Sequence, residues 1–147
     1  MKIAIGSDHA GFPLKKELAA YLHVKGHTMK DVGVFNARRS DYPDYAQKVA
    51  ECILSGECER GILSCGSGVG MCISANKIHG IRAVVCSEPY SAVMSRRHND
   101  ANVLCLGSRV VGVELAQMIV DEWLAAIYEG GRHQKRVDKI KWLEDQY

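Results

Sequence analysis

The chain has 147 residues, 47% of them hydrophobic and 24% charged. That composition predicts one globular domain over residues 1–147, with a core of its own, and excludes a disordered chain. Nineteen Lys and Arg against seventeen Asp and Glu leave a formal charge of +2, too balanced for a nucleic-acid binder, so a small anion is the expected partner.

No apolar run approaches the roughly 18–20 residues that cross a bilayer, and Ile3-Ala4-Ile5 is too short for a signal peptide. The expectation is a cytoplasmic protein without membrane association. Six cysteines stand at positions 52, 58, 65, 72, 86 and 105. In a reducing compartment they are expected as free thiols packed among apolar residues. There is no Cys-x-x-Cys pair and no zinc-like His spacing, so no metal site is expected.

In chain order, Lys2 to Gly6 is short and aliphatic, as a buried parallel strand should be. Pro13 to Lys25 then places Leu14, Leu18, Tyr21 and Leu22 on one helical face, with Pro13 in the first turn and Gly26 at the end. Thr28 to Val32 reads as a second strand. Pro43 to Leu54 is a second amphipathic helix, carrying Tyr45, Val49 and Ile53. Gly61 to Ser64 is a strand, and Val69 to Asn76 a short helix. Ile81 to Cys86, Ser91 to Arg97 and Val103 to Gly107 repeat the strand, helix, strand order. Glu114 to Tyr128 is a long apolar helix, and a last helical stretch opens after Gly130-Gly131. This alternation predicts an α/β fold, a Rossmann-like three-layer α/β/α sandwich around a five-stranded parallel sheet. Ligands gather at strand C-terminal ends in such folds. That rule points to Ser7-Asp8-His9, Cys65 to Gly70, Ser87-Glu88-Pro89 and Ser108-Arg109.

Cys65-Gly66-Ser67-Gly68-Val69-Gly70 leads from a strand into a helix, and its alternate glycines let several N–H groups converge on one anion. A dinucleotide fingerprint needs Gly-x-Gly-x-x-Gly and a nucleotide P-loop needs Gly-Lys-Ser/Thr; neither is present. A thiol phosphatase would want Arg six residues beyond its nucleophile, where this chain has Met71. What remains is a thiol before a helix start, where converging N–H groups favour the thiolate, so that Cys65 can act as a base. The alternative is an inert Cys capping a strand.

Gly130 to Arg136 opens the last helical stretch, and Arg132 and Arg136, four residues apart, are expected on one helical face. With Arg109 they could hold a phosphomonoester dianion, or they could form a solvated basic face. His98, in Arg96-Arg97-His98-Asn99-Asp100, is of the type that carries a proton near neutrality. His23, His27 and His79 have no identifiable partner; His133, beside Arg132, is left open.

Taken together, Gly6-Ser7-Asp8-His9-Ala10-Gly11, Asp41-Tyr42-Pro43, Cys65 to Gly70, Ala75-Asn76-Lys77, Gly80-Ile81-Arg82-Ala83, Ser95 to Asp100, Gly107-Ser108-Arg109 and Gly130-Gly131-Arg132-His133 resemble the RpiB/LacAB sugar-phosphate isomerases. The resemblance runs over nearly the whole chain, with the motifs in the family's order. It implies interconversion of ribose 5-phosphate and ribulose 5-phosphate without metal or organic cofactor. It also implies a homodimer, or a dimer of such dimers, with sites between subunits. By position, Cys65 would be the base and His98 the proton donor for ring opening. Gly66, Ser67, Gly68, Val69, Gly70 and Asn99 would surround the enediolate oxygens, Ser67 keeping the hydroxyl of the Thr common at that position. Asp8 and His9 would contact the sugar or its phosphate, Tyr42 would line the site, and Arg109, Arg132 and Arg136 would bind phosphate. Ala75 lies where some members carry a catalytic carboxylate.

Two other readings share these residues. One is an isomerase of a six-carbon sugar phosphate, such as allose 6-phosphate or galactose 6-phosphate. The other is a non-catalytic sugar-phosphate binding module. Because this chain carries both Cys65 and His98, copies of this one chain are expected to suffice, in contrast to galactose 6-phosphate members whose site is built from two different chains.

Overall fold

A computed structural model describes residues 1–147. The chain runs β1 (Lys2–Ser7), α1 (Phe12–Val24), β2 (Thr28–Asp31), α2 (Tyr42–Leu54), β3 (Arg60–Cys65), α3 (Val69–Ala75), β4 (Ala83–Val85), α4 (Pro89–Asn99), β5 (Val103–Gly107), α5 (Val113–Ala125), a 3-10 turn (Gly131–His133) and α6 (Gln134–Glu144). All strand pairs are parallel, in the order β2-β1-β3-β5-β4. This is the Rossmann-like α/β architecture that the alternation implied.

Strand side chains alternate between faces, and the core divides accordingly. Ile3, Ile5, Ile62, Leu104 and Leu106 pack with Leu14, Leu18 and Leu22 of α1, Ala92 of α4 and Ile119, Val120 and Trp123 of α5. Ala4, Leu63, Cys65, Val103 and Cys105 face the other way, onto Val49 and Ala50 of α2 and Met71 and Ala75 of α3. Both faces of the three central strands are thus covered, as their near-continuous apolar sequences require. All six cysteines are free, and five are buried. No helix is long and apolar enough to cross a membrane.

Two of the boundaries that depart from the sequence pattern do so for a common reason. Ile81 and Arg82 stay outside β4 because the Arg82 amide donates to the side-chain oxygen of Asn102 at 2.8 Å rather than entering the ladder. The long helix stops at Ala125 instead of Tyr128. Ala126 is extended, and the chain runs on so that the Glu129 amide reaches the Arg97 carbonyl at 3.0 Å. In each case a bond to a distant segment overrides local helical or strand preference.

Candidate active site

Strand order dictates where a crevice must open. The chain leaves β1 for β2 through α1 on one face and passes to β3, on the other flank of β1, through α2 on the opposite face. At such a switch point the two connections diverge and leave a gap above the strand C-termini. Asp8 follows β1 at this gap and Cys65 ends β3.

Local bonds hold the gap in shape. The Asp8 carboxylate accepts from the Gly11 amide at 2.9 Å, and the Asp8 amide donates to the Ser64 carbonyl at 3.3 Å. The Arg109 amide donates to the Gly66 carbonyl at 3.0 Å, tying the strand end after β5 to the Cys65 loop. His9 Nδ1 lies 3.2 Å from the Ser40 amide, which leaves Nε2 for the pocket. Gly68 has φ +79°, and a Cβ there would stand 2.9 Å from the Leu106 carbonyl carbon. Only glycine allows that turn without strain, and the turn brings the Gly68 amide to donate to Cys65 Sγ at 3.1 Å. Gly70 matters for space rather than for its dihedrals: a Cβ would lie 2.8 Å from the Tyr42 ring, so its absence lets Tyr42 close against the loop.

These contacts enclose a pocket of about 400 Å³ lined by Asp8, His9, Tyr42, Cys65, Gly66, Ser67, Gly70 and Arg109, within the range of small-molecule sites. The Cys65 residue is 4% exposed and still lines it. Gly68 and Val69 complete the loop at the start of α3. One thiol, one guanidinium, one imidazole and one carboxylate thus share a cleft.

His98, Asn99, Arg132 and Arg136 do not line it. Helix α4 starts near the C-terminal end of β4 and carries the chain back across the sheet for eleven residues, about 15 Å at 1.5 Å per residue. His98 and Asn99 therefore sit at the opposite edge, where strands begin: Arg82, just before β4, donates from Nε to the Asn99 carbonyl at 3.1 Å. Within one copy, Cys65 and His98 therefore lie apart. The three arginines divide likewise, Arg109 with Cys65 and the other two with His98. Arg132 lies in the 3-10 turn and Arg136 in α6, both exposed, rather than on one continuous helix.

His98 keeps its own company. Its ring stacks on His133, centroids 4.2 Å apart and planes 10° apart. Glu129 lies beside both, and the three offer donor atoms within 4.8 Å of one another. The Nε2 atoms of both rings face the Glu129 carboxylate, at 3.9 Å from His98 and 3.5 Å from His133. Sequence reading left His133 open and passed over Glu129, whose only signal was its place next to Gly130-Gly131-Arg132.

A doubly wound sheet with a thiol at its switch point and cations set for an anion describes a sugar-phosphate isomerase, and the chain belongs to the Ribose/Galactose Isomerase family, whose model matches residues 3–140. Among individual relatives, it is 60% identical over 143 residues to ribose-5-phosphate isomerase B of Escherichia coli, covering 97% of this chain and 96% of that protein. The structure of Clostridium thermocellum ribose-5-phosphate isomerase B matches with a TM-score of 0.99 at 55% identity, over 100% of this chain and 99% of that one. Ribose-5-phosphate isomerase B of Mycoplasma genitalium, solved with bound ribulose-5-phosphate, matches with a TM-score of 0.93 at 42% identity, over 99% and 97% of the two chains.

Proposed function

We propose that this isomerase, a single domain over residues 1–147, interconverts D-ribose 5-phosphate and D-ribulose 5-phosphate, the non-oxidative pentose phosphate step, through an enediolate. The observation that carries the reading is the Gly68 amide on Cys65 Sγ inside a pocket that also holds Arg109. Aldose-ketose isomerisation moves a proton between adjacent carbons while negative charge builds on oxygen, so a base and an oxyanion site must lie together. The Cys65 thiolate is the base, and loop amides from Gly66 to Gly70, with Asn99 of a second copy, face the enediolate oxygens. Asp8 and Tyr42 hold the sugar, and the Ser67 hydroxyl sits beside the reacting carbons. His9 and Arg109 take the phosphate from one side.

Ring opening needs an acid, His98, and phosphate capture needs Arg132 and Arg136. A second copy supplies these, in a homodimer whose sites lie between subunits. Exposed apolar residues at the pocket support this arrangement: Val110, which lines it, is 58% exposed, and Val69, at the start of α3 next to Gly70, is 47% exposed, a surface that such a partner would cover. Six free thiols suit a cytoplasmic setting. The chemistry requires no metal or organic cofactor.

The test is conversion of ribose 5-phosphate to ribulose 5-phosphate by purified protein with chelator present, beside allose 6-phosphate and galactose 6-phosphate. Turnover of the pentose phosphate is expected. Binding without turnover would leave a sugar-phosphate binding module, and preference for a six-carbon substrate would move the assignment within the family.

A further inference from the structure

Glu129 is attached to the end of α4 at two points. Its amide donates to the Arg97 carbonyl at 3.0 Å, and its Oε1 accepts from Arg97 Nε at 2.5 Å. The second oxygen, Oε2, is thereby fixed 3.9 Å from His98 Nε2 and 3.5 Å from His133 Nε2. His133 is 4% exposed, and its Nε2 is buried without a hydrogen-bond partner, an arrangement that a folded chain retains only with a reason.

The charges around His98 are arranged consistently. Hydrogen bonding to Arg97 holds the Glu129 carboxyl below its ordinary range, and the charges of Arg97, His98 and His133 add to this, so it stays ionised. Burial holds His133 below the usual imidazole range, and repulsion from His98 and Arg132 acts the same way. His133 presents its ring face to His98, while the Glu129 carboxylate stands at the edge bearing His98 Nε2.

We infer that Glu129 is a positioning residue for His98: clamped by Arg97, it faces His98 Nε2 while the buried His133 ring fixes the imidazole plane, leaving Nδ1 to meet the sugar ring oxygen. In the step this serves, the bond between C1 and the ring oxygen breaks and the ring oxygen takes the Nδ1 proton. The C1 hydroxyl gives its proton to water as the carbonyl forms, and water reprotonates the imidazole. The inference rests on the isomerase reading above.

The two substrates separate this role from a merely structural one. Ribulose 5-phosphate cannot close a five-membered ring, because its C5 oxygen carries the phosphate, so exchange of its C1 proton with solvent bypasses ring opening. In Glu129→Gln, turnover of ribose 5-phosphate is expected to fall about 10- to 100-fold, part of the 10²–10⁴ that a general acid contributes. Deuterium incorporation from D₂O at C1 of ribulose 5-phosphate is expected to stay within about twofold of wild type, and Glu129→Asp to recover part of the turnover. Unchanged ribose 5-phosphate turnover in Glu129→Gln would overturn the inference, as would equal loss of turnover and exchange. A wild-type protein that does neither would instead refute the isomerase reading itself.

Discussion

Placing Cys65 and His98 at opposite edges of one sheet has a direct genetic consequence. On the proposed mechanism Cys65→Ala removes the base and His98→Asn the acid, and each loss is expected to cost about 10²–10⁴ in rate, so either variant alone is expected to show at most about 1% of wild-type turnover. In the proposed twofold dimer each site would take the Cys65 loop from one subunit and His98 from its partner. A mixed dimer of the two variants then contains one site with both lesions and one with neither. Random pairing of equal amounts makes half the dimers mixed, each with one of two sites intact, so about one quarter of wild-type turnover returns. The reason is distance: the roughly 15 Å that α4 puts between the two edges exceeds the reach of an imidazole side chain. The assay is ribose 5-phosphate turnover after co-expression or subunit exchange, against the unmixed variants. Activity that stays at the mean of the two parents would refute the split site.

Further expectations follow from the pocket and its supports. Cys65→Ala should bind ribose 5-phosphate by calorimetry with little change while losing turnover; unaltered isomerisation would remove the thiol from the mechanism. Gly68→Ala places a side chain at φ +79° and 2.9 Å from backbone, and should cost about 1–3 kcal/mol, read as a lower Tm; an unchanged Tm would show the turn to be unstrained. Among the cysteines away from the pocket, hydrogen bonding with Cys105 brings Cys72 down to about 7, whereas burial pushes Cys86 up to about 12 and Cys105 well above its ordinary value. Iodoacetamide at pH 7.5 should therefore modify Cys72 first in the Cys65→Ala protein, as peptide mapping would show. Equal labelling of Cys86 would contradict that order.

What the residues alone determined is local. Aliphatic runs and 3.6-residue periodicity located every strand and the long helices, because burial on a sheet or along one helical face imposes those repeats. The glycine-rich turn after a strand identified the Cys65 loop, since a backbone that curls around an anion needs positions without Cβ. Asp8, His9 and Arg109 joined it because residues at strand C-termini share one edge of a parallel sheet, whereas Tyr42 came from the family resemblance alone. Helix α4 has no such rule: its length carries His98 to the far edge, and nothing in Arg96-Arg97-His98-Asn99-Asp100 records which edge that is. Nor does sequence show that α5 ends early so that Glu129 can bond Arg97, or that His133 stacks on His98. Those pairings join residues about thirty positions apart through bonds that exist only once the sheet and its two helical layers are packed, so the tertiary structure decided them.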